Sequence, residues 1–439
     1  MKQRIYFIII ALVSFATQAA DLTFTGNSRQ AVSIAPASNT GLARIYVLEN
    51  SNGVTASFTT LGSDAVNWYR FDNRGAAYAE PIATMVNGRT TSFTLGIDDI
   101  GIVVEEGSKR HYFWIINYTN HPFEISGLNI SEESDCSTTT LLTEGSGSQI
   151  LFYNINGVPT ELSREIELTY YTLEYNAETE SYDQIEESIV EPWLTATIRT
   201  PAPLCDTQFT LKGDRFLSAW GMEQQVESET YQAKAVDAHT TAVQTEREVD
   251  NEVSVEVSSL GGSAPVEITF TATVSDAVRF TEWQFSSDPE FNNYDLRFND
   301  TEVTYTFREQ GTTYIRFQAS NNEGDCDWFS ETYEVHIGES KLQCPNAFSP
   351  NDDGVNDVWK VSYKSIVEFQ CSIFNRWGTE IISFDNPAQG WDGKYNGKVV
   401  DSGVYYYAIR AKGADGKKYK LSGDINIVNY SRETNKTQP

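Results

Sequence analysis

One short segment near the C-terminus has the composition of a cation site. Residues 351–357 read Asn-Asp-Asp-Gly-Val-Asn-Asp, so five oxygen-bearing side chains surround one glycine. Calcium prefers several carboxylate and carbonyl oxygens at short range, and a glycine permits the tight turn that gathers them. Asp353, Asn356 and Asp357 are the candidate calcium ligands, although Lys360 stands where an EF-hand would have its glutamate. The alternative is a turn whose carboxylates accept backbone hydrogen bonds, and we therefore expect no cofactor.

Catalytic chemistry finds little support in the residues. The four histidines are scattered along the chain, and no HExxH, GxSxG, P-loop or GxGxxG pattern is present. Paired carboxylates such as Asp98-Asp99 can hydrolyse glycosides. A chain with 61 acidic side chains forms such pairs by chance, however. We expect a non-enzyme without catalytic residues.

Aromatic side chains are abundant enough to offer stacking surfaces for sugars, with 23 Tyr, 23 Phe and 9 Trp. The candidate platforms are Trp68-Tyr69 and Tyr112-Phe113-Trp114, with a similar run at Tyr405-Tyr406-Tyr407. Successive side chains of a strand point to opposite faces, so about half of these residues would face a core. Packing therefore explains most of them.

The elements that position these residues are strands. Val266, Ile268 and Phe270 alternate with Glu267 and Thr269, which is the pattern of a strand with one buried face. Similar runs recur between Asn-Gly and Gly-Gly turns, and no long amphipathic helix is apparent. The sequence predicts an all-β chain of tandem antiparallel immunoglobulin-like β-sandwiches.

Four sandwiches fit, at residues 21–131, 132–248, 249–340 and 341–439, with the polar stretch 241–252 as the best linker. The charge supports the last border. Residues 21–340 hold 17 basic and 50 acidic side chains, net −33, whereas residues 341–439 hold 13 and 11, net +2. Such an acidic body repels phosphates, which argues against nucleic acid as a partner.

The N-terminal 20 residues have the features of a secretory signal peptide. Lys2 and Arg4 precede an apolar run over residues 5–15, and small residues end the segment at Ala19-Ala20. The run is shorter than a membrane span needs, which is about 20 residues. We expect an exported chain that is not an integral membrane protein.

An exported chain reaches a compartment where disulfides form. Cys136 with Cys205 is one candidate bridge, and Cys344 with Cys371 is a second one. Cys326 is then left over. Buried thiols are the alternative for all five cysteines, and neither a CxxC pair nor a Cys/His cluster suggests zinc.

Five short motifs follow one another in the last hundred residues. They are CPNAFSPNDDGVNDVW at 344–359, IFNRWG at 373–378, WDG at 391–393, SGVYYYAI at 402–409 and GDINI at 423–427. This run resembles the gliding-motility-associated C-terminal domain, the type B sorting domain of the Bacteroidota type IX secretion system. The residues that carry the likeness, called here the motif residues, are Pro345, Asn346, Phe348, Pro350, Asn351, Asp353, Gly354, Asn356, Asp357, Asn375, Arg376, Trp377, Gly378, Trp391, Asp392, Gly393, Gly403 and Tyr405.

Two positions depart from that family's pattern. Asp352 stands where the family usually has glycine, and Asp401 stands where it usually has proline. The tryptophans at 359, 377 and 391 are expected to fill a small sandwich core.

Within residues 249–340, Trp283-Gln284-Phe285 and the run from Gly311 to Asn321 resemble a PKD-type immunoglobulin-like domain.

The resemblance implies export to the cell surface, outer membrane or medium, with the secretion translocon as a partner of the last domain. Our main hypothesis is a non-enzymatic surface protein for adhesion or ligand presentation, with an unknown protein or glycan as its ligand. One alternative is a structural component of the secretion or gliding machinery. A second alternative is a surface glycan-binding protein.

Overall fold

The computed structural model describes residues 21–247, 249–257 and 260–428. The predicted signal peptide, residues 1–20, lies outside them. The chain divides into two compact units. Of the described residues, one unit takes in 21–172 and 184–233, and the other takes in 173–183 and those from 234 to 428.

The first sandwich has two facing sheets. Their orders are β1-β4-β8-β7 and β2-β3-β10-β9-β5-β6. The strands are β1 (Thr23–Thr25), β2 (Val32–Ile34), β3 (Arg44–Leu48), β4 (Thr55–Thr59), β5 (Val66–Phe71), β6 (Glu80–Ile82), β7 (Met85–Asn87), β8 (Thr90–Thr94), β9 (Ile100–Glu106) and β10 (Lys109–Asn117), with 3-10 turns at Ser38–Thr40, Ala76–Tyr78 and Tyr118–Asn120.

The six-stranded sheet is buried on both faces, and its central strands are apolar at nearly every position. Along β10, Phe113 and Ile115 pack into the core of the first sandwich, whereas Trp114 and Ile116 pack toward the second. Strands buried on both faces read as continuous apolar runs. The sheet is therefore the middle layer between two cores.

The second sandwich contains sheets ordered β11-β12-β17, β13-β14 and β16-β15-β18-β19. Its elements are β11 (Glu124–Ile130), β12 (Thr138–Ser146), β13 (Ile150–Tyr153), β14 (Pro159–Leu162), β15 (Ile166–Asn176), β16 (Ser181–Glu191), β17 (Thr197–Pro201), β18 (Thr210–Gly213), α1 (Arg215–Ala219) and β19 (Gln224–Glu227). Because β11 pairs with β12, it belongs to this sandwich and lies before the predicted border at 131/132.

The third sandwich packs a sheet ordered β20-β22-β25 against a sheet ordered β21-β28-β26-β23-β24, in which β27 also pairs with β26. The strands are β20 (Ala238–Gln244), β21 (Leu260–Gly262), β22 (Val266–Val274), β23 (Phe280–Ser286), β24 (Leu296–Phe298), β25 (Glu302–Phe307), β26 (Gly311–Ser320), β27 (Asp327–Phe329) and β28 (Tyr333–Ile337). Strand β20 lies before the predicted border at 248/249. Its pairing with β22 makes residues 241–244 part of the sheet, so the linker prediction is wrong for them.

The fourth sandwich is built on a five-stranded sheet ordered β30-β37-β36-β32-β33, with the short pairs β29-β31 and β34-β35. The strands are β29 (Lys341–Gln343), β30 (Ala347–Phe348), β31 (Ser362–Lys364), β32 (Ile366–Phe374), β33 (Glu380–Phe384), β34 (Lys394–Tyr395), β35 (Lys398–Val399), β36 (Gly403–Gly413) and β37 (Lys418–Ile427).

The predicted fold class, all-β with tandem sandwiches, is confirmed. The pairing is mostly antiparallel, and parallel pairs join β3 to β10, β21 to β28 and β30 to β37. Within the described ranges, no helix is long and apolar enough to cross a membrane.

Candidate functional site

The motif residues gather at one end of the fourth sandwich, and the strand register explains why. Phe374 ends β32 opposite Tyr406, near the start of β36. Gly403 begins β36 opposite Ile427, which also pairs with Phe348 of β30. The turn after β32, the loop before β36 and the segment around β30 therefore share this end of the sheet, called here the motif end.

The segment from Pro345 to Pro350 is held by the core and by backbone hydrogen bonds. The carbonyl of Asn346 accepts from the backbone N and from the side-chain Nδ2 of Asn426, at 2.9 and 3.1 Å. Phe348 is buried, and its ring lies 5.4 Å from the ring of Trp391. Asn426 is not one of the predicted motif residues, although it lies inside the GDINI motif.

Two tryptophans form the centre of this core. Trp359 and Trp391 are fully buried, and their backbones exchange two hydrogen bonds of 2.9 Å. Tyr405 packs edge-on against Trp391, with ring centroids 5.1 Å apart. Gly393 has a φ of +74°, and a Cβ there would lie 2.8 Å from the ring of Pro350, so only glycine fits.

The acidic loop is organised around the carboxylate of Asp357. Oδ1 accepts from the backbone N of Asn351 and Asp352 at 2.9 and 2.8 Å, and Oδ2 accepts from the N of Gly354 at 2.6 Å. Burial raises the pKa of Asp357, but the backbone hydrogen bonds outweigh it and hold the pKa below its usual value. The arrangement is the one expected for the turn alternative. Calcium at Asp353, Asn356 and Asp357 stays a prediction.

The turn between β32 and β33 presents an exposed tryptophan. Asn375 Oδ1 accepts from the backbone N of Trp377 and Thr379 at 3.0 and 2.9 Å, which closes the turn around Gly378. Trp377 is 74% exposed, and the guanidinium of Arg376 lies 4.2 Å from its ring centroid. The expectation that Trp377 fills the core is wrong, because a tight turn leaves its central side chains outside the sandwich.

Further exposed apolar side chains lie in the segments of the motif end. Val404 and Tyr406 project from the start of β36, Val399 ends β35, and Val355 lies in the acidic loop. Asp392 caps the N of Lys394 and pairs with its ammonium at 3.0 Å. The motif end thus combines a closed backbone scaffold with an apolar, partly cationic tip.

The opposite end of this sheet meets the third sandwich. The backbone N of Ser365, in the fourth sandwich, donates to the hydroxyl of Ser263 in the third at 2.7 Å. The backbone N of Ala264, in the third sandwich, donates to the hydroxyl of Ser365 at 3.2 Å. Gln310 N donates to Ala414 O at 3.0 Å. The motif end is therefore the end away from this junction.

The departure at Asp352 has a backbone explanation. Its φ is +57°, in the left-handed region that glycine adopts without steric cost. The glycine usual in the resembling family would suit this conformation, and aspartate is one of the few other residues that tolerate it. Asp401 needs no special conformation, and its carbonyl accepts from the hydroxyl of Tyr405 at 3.2 Å.

The cysteines differ from the predicted pairs. Cys136 and Cys326 are each disulfide-bonded, so the pairing of Cys136 with Cys205 is wrong. Cys205 is a buried thiol whose Sγ lies 3.7 Å from Gln184 Nε2. Cys344 and Cys371 are thiols instead of a bridge, and burial raises the pKa of Cys371 to about 12.

The candidate sugar platforms of the first sandwich lie mainly inside the fold. Trp68, Phe113 and Trp114 are buried, and Tyr69 and Tyr112 pack against the core. Three of the histidines have separate partners in the fold. His121 pairs with Asp99, His239 stacks on Tyr175 and His336 contacts Thr312.

Two segments of the chain match known domain families. Residues 342–427 match the CHU_C type IX secretion signal domain, and residues 129–228 match a fibronectin type III domain. A type IX secretion signal implies export to the cell surface or the extracellular space and contact with the secretion machinery. No curated protein matches the chain. The PKD-like resemblance of residues 249–340 stays a prediction.

Several solved structures are similar to this chain. A tetra-tandem repeat from the extending region of a large adhesion protein is 11% identical, with 87% of this chain and 97% of that chain covered and a TM-score of 0.22. The fibronectin(III)-like modules of CbhA from Clostridium thermocellum are 13% identical, with 43% and 95% covered and a TM-score of 0.18. A Ca²⁺-stabilized adhesin that helps an Antarctic bacterium bind ice is 10% identical, with 94% and 99% covered and a TM-score of 0.18. At these scores we draw no conclusion from them.

Proposed function

We propose that this chain is a non-enzymatic surface protein whose first three sandwiches present a ligand-binding surface for adhesion and whose fourth sandwich directs its export. The observation that carries the proposal is the match of residues 342–427 to a type IX secretion signal domain. The acidic body ahead of it, at net −33 over residues 21–340, keeps an exported chain soluble and away from anionic surfaces.

We further assign recognition by the export machinery to the motif end. This end points away from the junction with the third sandwich, so it stays accessible while the cargo is folded. Its exposed tip holds Trp377 and Arg376, and aromatic and arginine side chains dominate the binding energy of many protein interfaces. The buried motif residues, Trp391 among them, act by holding this tip in place.

A deletion of residues 341–439 followed by cell fractionation tests the export role. The truncated protein should accumulate inside the envelope. The third and fourth sandwiches share a junction, so a fusion protein that keeps both of them avoids exposing it. A reporter placed between residues 1–20, the predicted signal peptide, and residues 234–439 should reach the surface. Surface display of the truncated protein would contradict the proposal.

The double substitution of Arg376 and Trp377 by alanine tests the motif end itself. Both side chains are exposed, so the melting temperature should stay unchanged while export falls by at least tenfold. Lys418→Ala, an exposed change at the other end of the sheet, is the matched control and should export normally. Normal export of the double variant would show that Arg376 and Trp377 are not part of the surface that the export machinery recognises.

The same cells can distinguish a cargo protein from the alternative, a structural component of the secretion machinery. A cargo protein should appear as a free population at the surface or in the medium. A machine component should instead co-purify with translocon subunits at fixed stoichiometry, and its loss should block export of other proteins.

A further inference from the structure

The third sandwich carries a pocket on the outer face of its larger sheet. Strand alternation places Trp283, Phe285 and Phe317 in the core, so the side chains between them point outward. In the register of β23 and β26, Phe280 lies opposite Ser320, and Glu282 lies opposite Gln318. Together with Arg279, Thr281 and Asn299, these residues line a cavity of about 360 Å³.

The pocket combines one apolar platform with several polar groups. Phe280 is 58% exposed on the outer face of a strand, where an aromatic ring gains nothing from packing. Glu282, Gln318 and Asn299 beside it supply both hydrogen-bond acceptors and donors. Ligand sites typically pair aromatic surface with a few fixed polar groups in this way.

A network behind the pocket holds its polar side chains in place. Gln284 is 2% exposed, and its Nε2 donates to Glu282 Oε1 and to Gln318 Oε1, both at 2.8 Å. Gln318 in turn donates to Asp327 at 3.3 Å. Fixing rotamers before a ligand arrives lowers the entropic cost of binding.

The network is anchored by an arginine between two aromatic rings. Arg316 Nε donates to Gln284 Oε1 at 2.7 Å, and its guanidinium lies 4.2 Å from the ring of Phe291 and 4.7 Å from that of Phe329. A sheet face that only needed solubility would not require a buried amide and a stacked cation. The arrangement is what a preorganised site requires.

The chemistry of the pocket indicates an uncharged ligand. Arg279 already donates from Nη1 to the carbonyls of Asp276 and Val278, at 2.6 and 2.8 Å, so part of its capacity is used. Glu282 opposes its charge within the same cavity. The acidic body of the chain also repels polyanions.

We propose that the Phe280 pocket binds a neutral hexose unit of an oligosaccharide, with the apolar face of the sugar ring stacked on Phe280 and its hydroxyls bonded to Glu282, Gln318 and Asn299. This inference rests on the proposed function, because it names the ligand class of the surface that the body presents. It assigns sugar recognition to the third sandwich instead of to the candidate platforms of the first, whose aromatic side chains are buried or half-buried.

Titration calorimetry on the purified full-length chain tests the proposal. The probes are cellohexaose, maltohexaose and mannohexaose, with oligogalacturonate as the charged comparison. At least one neutral hexaose should bind, and oligogalacturonate should not. Phe280→Ala should weaken binding by at least tenfold, and Gln318→Leu should weaken it by several-fold. Tyr78→Ala, which removes an exposed ring of the first sandwich, is the matched control and should change nothing.

Each outcome decides the inference. Absence of binding to all three neutral hexaoses, binding that persists in Phe280→Ala, or binding of oligogalacturonate alone overturns it. Protease shaving of whole cells is run in parallel to separate this failure from that of the proposed function. A chain at the surface that binds no sugar refutes only the sugar site, whereas a sugar-binding chain retained inside the cell refutes the surface role.

Discussion

The two units join their sandwiches in different ways. In the first unit one hydrophobic cluster runs through both sandwiches, from Leu42 in the first to Tyr231 in the second. In the second unit the third and fourth sandwiches keep separate clusters of buried residues, and serine and asparagine hydrogen bonds connect the two sandwiches. Apolar contact at this junction comes from two half-buried side chains of the fourth sandwich, Val367 and Ala414, which pack against the cluster of the third. The difference predicts that the first pair unfolds as one body, whereas the fourth sandwich is separable from the third.

A buried ion pair adds to the continuity of the first unit. Arg164 and Asp214 are both fully buried, with Nη1 and Oδ2 2.7 Å apart. Arg164 also donates to the carbonyls of Ser148 and His121, and Asp214 accepts from the hydroxyl of Tyr118 at 2.8 Å. The network thus connects the end of the first sandwich to the core of the second.

The largest expected effect comes from removing one member of this pair. Asp214→Ala leaves a buried guanidinium without its counter-charge, and such losses cost about 3–5 kcal/mol. Chemical denaturation of the full-length chain should show the first and second sandwiches losing stability together. The control is Glu80→Ala, which breaks an exposed pair with Arg70 and should cost less than about 1 kcal/mol. Two separate denaturation midpoints for the first and second sandwiches would contradict the prediction that they unfold as one body.

The strands of this architecture are largely predictable from the sequence. Alternation in β22 and apolar runs in β3 and β10 indicate half-buried and fully buried strands. Strand β20 escapes such a prediction because its Thr, His and Gln side chains look like a linker, and only its pairing with β22 makes it a strand. Disulfide partners are not encoded in spacing, which is why the pairing predicted for Cys136 is wrong.

The candidate site is predictable as a set of residues and not as a surface. Motif order identifies Trp359, Trp377 and Trp391 together, but only the fold separates two core residues from one exposed turn residue. The Phe280 pocket leaves no signal in the sequence, because its residues come from different strands and meet through sheet register. A lone phenylalanine in an alternating strand reads as an ordinary core residue.

An intermediate effect is expected at the junction of the second unit. Asn251 Nδ2 donates to the carbonyls of Val361 and Pro387, both at 2.8 Å. Asn251→Ala leaves these carbonyls without that donor, at a cost on the order of 1–3 kcal/mol.

If the fourth sandwich is separable, limited proteolysis of the Asn251→Ala variant should cut faster between the third and fourth sandwiches. Each fragment should stay protease-resistant. The exposed Asn73→Ala is the control and should leave the cutting pattern unchanged. Collapse of both sandwiches together would show that their cores depend on each other.

A smaller effect is expected from acid on the loop at 351–357. The pKa of Asp357 is lowered by folding, so its contribution to loop order is complete above the ordinary aspartate pKa, about 3.9, and is lost as the pH falls through the folded value. Hydrogen exchange of the Gly354 amide should therefore show protection at about pH 5 that disappears in stronger acid. Asp357→Asn should remove this pH dependence, and retained dependence would assign it to another group.

The smallest expected effect sharpens the separability of the fourth sandwich. Asp352 has a positive φ, so Asp352→Gly should relieve backbone strain and stabilise this sandwich by up to about 1 kcal/mol. Asp353→Gly is the matched control and should destabilise, because Asp353 Oδ1 accepts from the N of Val355 at 2.8 Å. In a denaturation curve of the full-length chain, the gain should shift only the transition of the fourth sandwich. A shift of the third sandwich as well would mean that the junction couples the two cores more strongly than its hydrogen bonds indicate.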